Sequence, residues 1–215
     1  MSQPVIEIKN LKKSFPPSFN LEVERLDLCE GMLYCLRGIN GSGKTTLIHI
    51  LLDLTLADSG KISVFGEAHK SDKAKKHISS FLDKDRILDF LTVKEYFYLV
   101  GSSYNKTKNE VNEQFEWLDS YFGRNYFSEK KLIKDYSGGN RQLIALMGAL
   151  IVNSPVVVLD EPLNFLDTET ASTFCDLLND YIERTKACVI FTSNSEQFHS
   201  LKDIHFIEIK DGRID

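Results

Sequence analysis

The 215-residue chain is predicted to fold as an α/β protein, and three observations carry that prediction. "PVVVLDEP", Pro155 to Pro162, is a continuous β-branched run of the kind buried on both faces of a parallel sheet. From there strand-like and helix-like stretches alternate: "ASTFCDLLNDYIERT", "ACVIFTSN", "SEQFHSL", "DIHFIEIKDGRI". Near the N-terminus, "VIEIKN" and "LEVERLDL" alternate apolar and polar residues with the period of two that marks half-buried antiparallel strands. A helical stretch, roughly residues 85–152, interrupts the strands and reads as a subdomain inserted within a single domain spanning 1–215.

Bulk composition bounds the partners. The chain is 42% hydrophobic and 27% charged, the balance of a soluble globular protein with a real core. A formal net charge of −5 argues against a nucleic-acid binder that works by counterion release, and no nucleic acid is expected. Cys29, Cys35, Cys175 and Cys188 form no C-x-x-C pair and have no histidine at zinc-ligand spacing, so they are expected as reduced core thiols, which fits the cytosol. "MSQPVIEIKN" lacks the charged and apolar regions of a signal peptide. The longest apolar run is far short of the ~20 residues a bilayer span needs. A membrane role would therefore go through a partner.

The elements follow in order. Between the first two strands, "PPSF" must be a loop, because Pro16 lacks a donor and pushes Phe15 into an extended conformation. "MLYCLRG" is a short apolar strand entering a glycine loop, "TLIHILLDL" an amphipathic helix, and "KISVFG" a strand with a glycine stop. The charge run "HKSDKAKKH", His69 to His77, is read as a solvated loop or helix face, with a basic contact patch as the alternative. "LTVKEYFYLVG" opens with a capping box, Thr92 with Glu95 three residues on. Val111, Phe115, Leu118 and Phe122 line one face of the next helix. A further helix starts at the Gly138–Gly139 pair.

Two motifs carry chemistry by residue type and spacing. "GINGSGKTT" comprises Gly38, Ile39, Asn40, Gly41, Ser42, Gly43, Lys44, Thr45 and Thr46. It matches the phosphate loop G-x-x-x-x-G-K-[ST], with a strand before it and a helix after it. Its glycines let backbone N–H groups wrap phosphates, the helix N-terminus favours the anion, Lys44 is expected to reach the β- and γ-phosphates, and the Thr45 hydroxyl to ligate Mg²⁺. The fold is thus expected to be a P-loop NTPase-type sheet with flanking helices. Asp160 and Glu161 close the buried run at the sheet's C-terminal edge, where ligands bind in open parallel sheets. Asp160 suits Mg²⁺, and Glu161 suits a general base that orients the attacking water.

Taken together, "GINGSGKTT", "YSGGNRQ", "VVVLDEP" and "LNFLD" resemble the nucleotide-binding subunit of an ABC (ATP-binding cassette) transporter in order and spacing over nearly the whole chain. The resemblance implies ATP and Mg²⁺ as ligands and a head-to-tail pair of cassettes. Ser137, Gly138 and Gly139 of one cassette would then face the γ-phosphate held by the other. It implies that Phe15 stacks on adenine and that Leu163 to Asp167 contact the partner cassette, where Asp167 can equally cap the following helix. It implies a separate integral membrane subunit, a peripheral place on the inner face of the cell membrane, and a docking groove near Asp83 to Tyr98, half of whose aromatics are expected to be core. "LTVKEYFYLVG" and the Tyr136 that opens "YSGG" are most similar to cassettes of exporters.

Two positions depart from the family pattern. Asp83 stands where the family has a glutamine that contacts Mg²⁺ and water. Asn194 stands where it has a histidine that holds the γ-phosphate and the catalytic water, and His199 further on is a poor substitute. An amide donates to phosphate but cannot take and return a proton near neutral pH. Slow hydrolysis with ATP binding retained is therefore expected. The alternatives are a weakly active regulatory half of a heterodimer, and an ABC-type ATPase not coupled to transport.

Overall fold

The computed structural model describes residues 4–17, 19–83, 87–123, 130–193, 198 and 200–214. The period-two segments form a long antiparallel hairpin, β1 (Pro4–Phe15) and β2 (Phe19–Cys29), with Phe15 opposite Phe19 at its tip. Then come β3 (Leu33–Arg37), α1 (Lys44–Leu51), β4 (Ser59–Val64), β5 (Glu67–Ala68), the one-turn α2 (Asp72–Lys75) and β6 (Ile78–Phe81). The helical stretch holds α3 (Val93–Ser103), α4 (Lys108–Asp119), a 3₁₀ turn at Ile133–Asp135 and α5 (Gly138–Leu150). The last part is β7 (Val156–Leu159), α6 (Thr168–Thr185), β8 (Cys188–Thr192), β9 (Ile204–Lys210) and β10 (Arg213–Ile214).

The ten strands among the described residues join one sheet in the order β5-β4-β1-β2-β10-β9-β3-β8-β7-β6. The run β9-β3-β8-β7-β6 is parallel throughout, and the β4, β1 and β2 side is antiparallel. The buried run is explained by its alternation. Val157, Leu159, Val189 and Phe191 enter one core, which they share with Phe97, Phe115 and Leu143 of the helical stretch. Val156, Val158, Cys188 and Ile190 enter a second core on the opposite face, with Leu47, Ile48 and Leu51 of α1. Strands covered on both faces need no polar alternation, so they read as continuous apolar sequence.

Local signals behaved as their physics requires. Thr92 and Glu95 form the reciprocal capping box at α3, and Thr107 and Glu110 repeat it at α4, a second box the sequence reading passed over. Val111, Phe115 and Leu118 are buried, while Phe122 is partly so. The cysteines are free thiols, and burial pushes Cys35 and Cys175 up to about 12, which makes them poor nucleophiles.

Two readings change. "DIHFIEIKDGRI" is not one strand: Asp211 and Gly212, at φ 49° and 77°, turn it into a two-residue hairpin between β9 and β10. Asp-Gly is the residue pair such a turn requires, so the signal was present in the sequence. "HKSDKAKKH" is solvated only in part, because His69 at 7% exposure and Ala74 of α2 are buried, while the lysines of α2 are exposed. Of "SEQFHSL", most positions lie outside the described residues.

Candidate functional site

The sheet order places the sequence motifs side by side. β3 leads into the phosphate loop, β8 into Ser193, β7 into Asp160 and Glu161, and β6 into Leu82 and Asp83. These four strands are parallel neighbours in the order β3-β8-β7-β6. Neighbouring strands lie about 4.8 Å apart, so the four ends share one edge of the sheet. Asn194 and His199 lie outside the described residues.

At the phosphate loop, Gly43 is the N-cap of α1 with φ 113°, and an added Cβ would lie 2.8 Å from Phe19 Cζ. Only glycine reconciles that backbone with that neighbour. The first intrahelical bond runs from Leu47 N–H to Gly43 O, so the N–H groups of Lys44, Thr45 and Thr46 have no acceptor within the helix. Among the described residues the other five α-helices are capped by the side chains of Ser71, Thr92, Thr107, Ser137 and Asp167, whereas α1 has no side-chain cap. Lys44 is only 5% exposed. Its Nζ donates to Gly38 O at 2.7 Å and Ile39 O at 3.2 Å, which leaves a buried ammonium with a third donor to place. The Ser42 hydroxyl is buried and unpartnered as well. An uncapped helix start, a buried cation and an orphaned hydroxyl at one turn fit a polyphosphate. Ile39, Asn40 and Gly41 form the exposed crest of the loop.

The hairpin tip lies beside this loop. Phe15 is 42% exposed, with its ring 6.3 Å from that of Phe19 and 5.1 Å from Lys13 Nζ. Sequence reasoning named Phe15 and missed Phe19, which antiparallel register brings to the loop opposite it. Gly212 was missed too: its N–H donates to Ser42 O at 3.1 Å, tying the β9–β10 turn to the phosphate loop.

The carboxylates are held from both neighbouring strands. Asp160 N–H donates to Phe81 O of β6 at 2.8 Å. Thr192 of β8 donates to Asp160 Oδ1 at 2.5 Å, and its hydroxyl oxygen accepts the Glu161 N–H at 2.8 Å. Glu161 has φ 47°, and its Oε2 accepts from the Asn164 amide at 2.5 Å. Thr192 was also missed; parallel register, which sets Leu159 against Phe191, is what carries it to Asp160. Asp83 is exposed just past β6 and Thr45 is exposed at the first turn of α1. Among the described residues no group of three or more His, Cys, Asp or Glu side chains could hold a metal unaided. Thr45, Asp83 and Asp160 offer oxygen donors, the ligand type Mg²⁺ takes together with substrate phosphates and water.

Ser137 caps α5, its hydroxyl accepting from Asn140 N–H at 3.3 Å, and Ser137 and Gly138 are exposed. This end of α5 is joined to the loop after Glu161. An added Cβ on Gly139 would lie 3.0 Å from Phe165 O, and buried Gln142 donates to Pro162 O at 3.0 Å. Phe165 is 69% exposed at φ 65°, and Asp167 caps α6 by accepting from Thr170 N–H. Near Asp83, Leu88 and Phe90 are exposed, Phe97 is fully buried, and Tyr96 and Tyr98 are half-buried. A groove of about 280 Å³ that includes Leu82 is lined by Leu51, Leu52, Leu54, Ile78 and Tyr104 together with the polar His69, Lys75 and Ser80.

Comparison with known proteins agrees with this geometry. Residues 21–164 match the family model described as ABC transporter. The chain is 34% identical over 184 residues, 81% of its length and 75% of the relative's, to the putative ABC transporter ATP-binding protein AlbC of Bacillus subtilis (strain 168). It is 30% identical over 213 residues, 97% of its length and 96% of the relative's, to the tungstate uptake system ATP-binding protein TupC of Peptoclostridium acidaminophilum. In fold it is similar to the dimeric post-hydrolysis structure of the ATP-binding cassette MJ0796 bound to ADP and Pi. That likeness has a TM-score of 0.80 at 20% identity over 98% of this chain and 96% of that one. No described helix is long and apolar enough to cross a membrane.

Proposed function

The chain belongs to the ABC transporter family, and from that membership we propose that it is an ATP-binding, ATP-hydrolysing subunit that powers a separate membrane subunit. The observation that carries this reading is the single sheet edge on which the Gly38–Thr46 loop, Thr192, the Asp160–Glu161 pair and Asp83 stand next to one another. Residues 1–215 act as one cassette, with roughly 85–152 as its helical insert.

The phosphate loop binds ATP through its backbone N–H groups and Lys44, and Phe15 stacks on the adenine. Thr45, Asp160 and Asp83 would hold Mg²⁺, which when bound neutralises charge developing on the phosphates. Glu161 takes the proton of the attacking water and orients it. The Ser137–Gly139 end of α5, exposed at Ser137 and Gly138, and the exposed Phe165 loop face a second cassette, so a complete site exists only in the dimer; the dimeric cassette named above supports this pairing.

Hydrolysis is slow in this reading. Asn194 and Asp83 stand where the family has a histidine and a glutamine, and an amide cannot take and return a proton near neutral pH. A heterodimer with a more complete cassette would use this chain as its weaker half. Export is the direction favoured by "LTVKEYFYLVG" and Tyr136, although one relative is named for uptake. The membrane subunit docks on the exposed Leu88–Phe90 segment, which keeps the chain at the inner membrane face.

The test is capture of the tagged chain from its own cells in mild detergent. A multi-spanning membrane protein in the eluate is expected. Recovery of soluble partners alone, such as ribosomes or DNA-repair proteins, would overturn the transporter reading.

A further inference from the structure

We infer that Thr192 is a positioning residue for the Asp160–Glu161 pair, acting on the metal-holding carboxylate and on the backbone of the general base through one hydroxyl. The inference rests on the ATPase reading above and extends it to a residue outside both motifs. Thr192 ends β8 and is completely buried. Its proton goes to Asp160 Oδ1 at 2.5 Å, and its oxygen accepts the Glu161 N–H at 2.8 Å. The two bonds form one directed chain, Glu161 N–H to Thr192 Oγ1–H to Asp160 Oδ1, in which each bond polarises the next.

The geometry explains why two consecutive residues of one strand can serve one ligand. Successive strand residues point to opposite faces. Here the chain leaves β7 immediately: Glu161 adopts φ 47°, a conformation that persists only where its surroundings impose it. Thr192 supplies part of that constraint from β8, and Phe81 O of β6 holds the Asp160 N–H from the other side. Removing the hydroxyl frees the Asp160 carboxylate to rotate and the Glu161 peptide to relax, without altering the phosphate loop. Such supporting bonds typically change metal affinity or activity by about 10- to 100-fold.

The experiment compares the full chain with Thr192→Val and Thr192→Ser by calorimetric ATP titration with and without Mg²⁺, and by steady-state ATPase rate. The Val variant is expected to bind ATP in EDTA within about two-fold of the unaltered chain. It should lose about 10-fold of the Mg²⁺-dependent gain in affinity and at least about 10-fold in kcat, both recovered in the Ser variant. A folded Val variant with unchanged Mg²⁺ response and kcat would overturn the inference, as would a Ser variant impaired as severely as Val. If Val does not fold, Thr192→Ala is measured in the same way. Loss of folding in both Val and Ala, with Ser intact, would assign the hydroxyl to the fold and overturn the inference. Absence of ATP binding by the unaltered chain would overturn the parent reading with it, and that control tells the two failures apart.

Discussion

Gly212→Ala is expected to damage ATP binding although it lies 168 positions from Lys44 in sequence. Gly212 sits at φ 77° in the β9–β10 turn, where a side chain costs ~1–2 kcal/mol in backbone strain. Its added Cβ would lie 1.7 Å from Asn20 O, a backbone atom of β2. Restoring even a 3.0 Å contact requires the turn or the strand to move by about 1.3 Å. That movement breaks the Gly212 N–H bond to Ser42 O and the Glu22 N–H bond to Gly212 O at 2.7 Å, each worth about 1 kcal/mol net. The sum is ~3–4 kcal/mol, a large part of a typical 5–15 kcal/mol stability. For a chain of this size it corresponds to a fall of about 10 °C in melting temperature. Because Ser42 O is one of the broken partners, the phosphate loop shifts with the turn, and ATP affinity measured well below the melting point should fall at least about 10-fold. Thermal unfolding followed by circular dichroism, with nucleotide titration at 10 °C, reads both quantities. A variant that melts within 2 °C of the unaltered chain and binds ATP equally would refute the steric argument. One that melts early yet binds normally would refute the coupling of turn to loop.

Three further outcomes are expected. Glu161→Gln should trap an ATP-bound dimer, because binding is retained while the base is lost, and a monomer by light scattering at saturating Mg-ATP would contradict it. Asn194→His should raise the ATPase rate by about 10-fold or more by supplying a group that titrates near pH 7, and equal rates would show that hydrolysis is not limited there. Asp119, at the C-terminal end of α4, has a buried, unpartnered Oδ1, and burial raises its carboxyl to about 6. A carboxyl whose folded-state pKa is raised destabilises the fold above that pKa, and the penalty fades as pH falls from about 6 toward 4. Asp119→Asn should therefore raise the melting temperature at pH 7.5 and change it little at pH 4; the opposite trend with pH would rule this out.

Periodicity and punctuation made much of the molecule legible beforehand. The long β1–β2 strands, the capping box at Thr92, the buried helix face at Val111, Phe115 and Leu118, and the doubly covered β7 are consequences of local spacing and of which faces must leave water. The phosphate loop was equally plain, because a strand, a glycine-rich turn and a helix must be contiguous to wrap a phosphate. The β9–β10 hairpin and the second capping box at Thr107 were also written locally, in Asp211–Gly212 and in Thr107 with Glu110, and were passed over.

What no local pattern contains is lateral order. Sequence determined that β3, β7 and β8 exist and which residues end them, while β6 (Ile78–Phe81) was not read as a strand. Only the tertiary structure set them as neighbours in the order β3-β8-β7-β6, and that order brings Thr192 to Asp160 and Phe81 to the Asp160 amide. The same holds for Phe19 beside Gly43, Gly212 against Ser42, and Gln142 on Pro162. The physical reason is that a strand's hydrogen-bonding edges are chemically alike along its length. Partner choice is decided by the summed burial of two cores on opposite faces of the sheet, a quantity that belongs to the whole chain and to none of its segments.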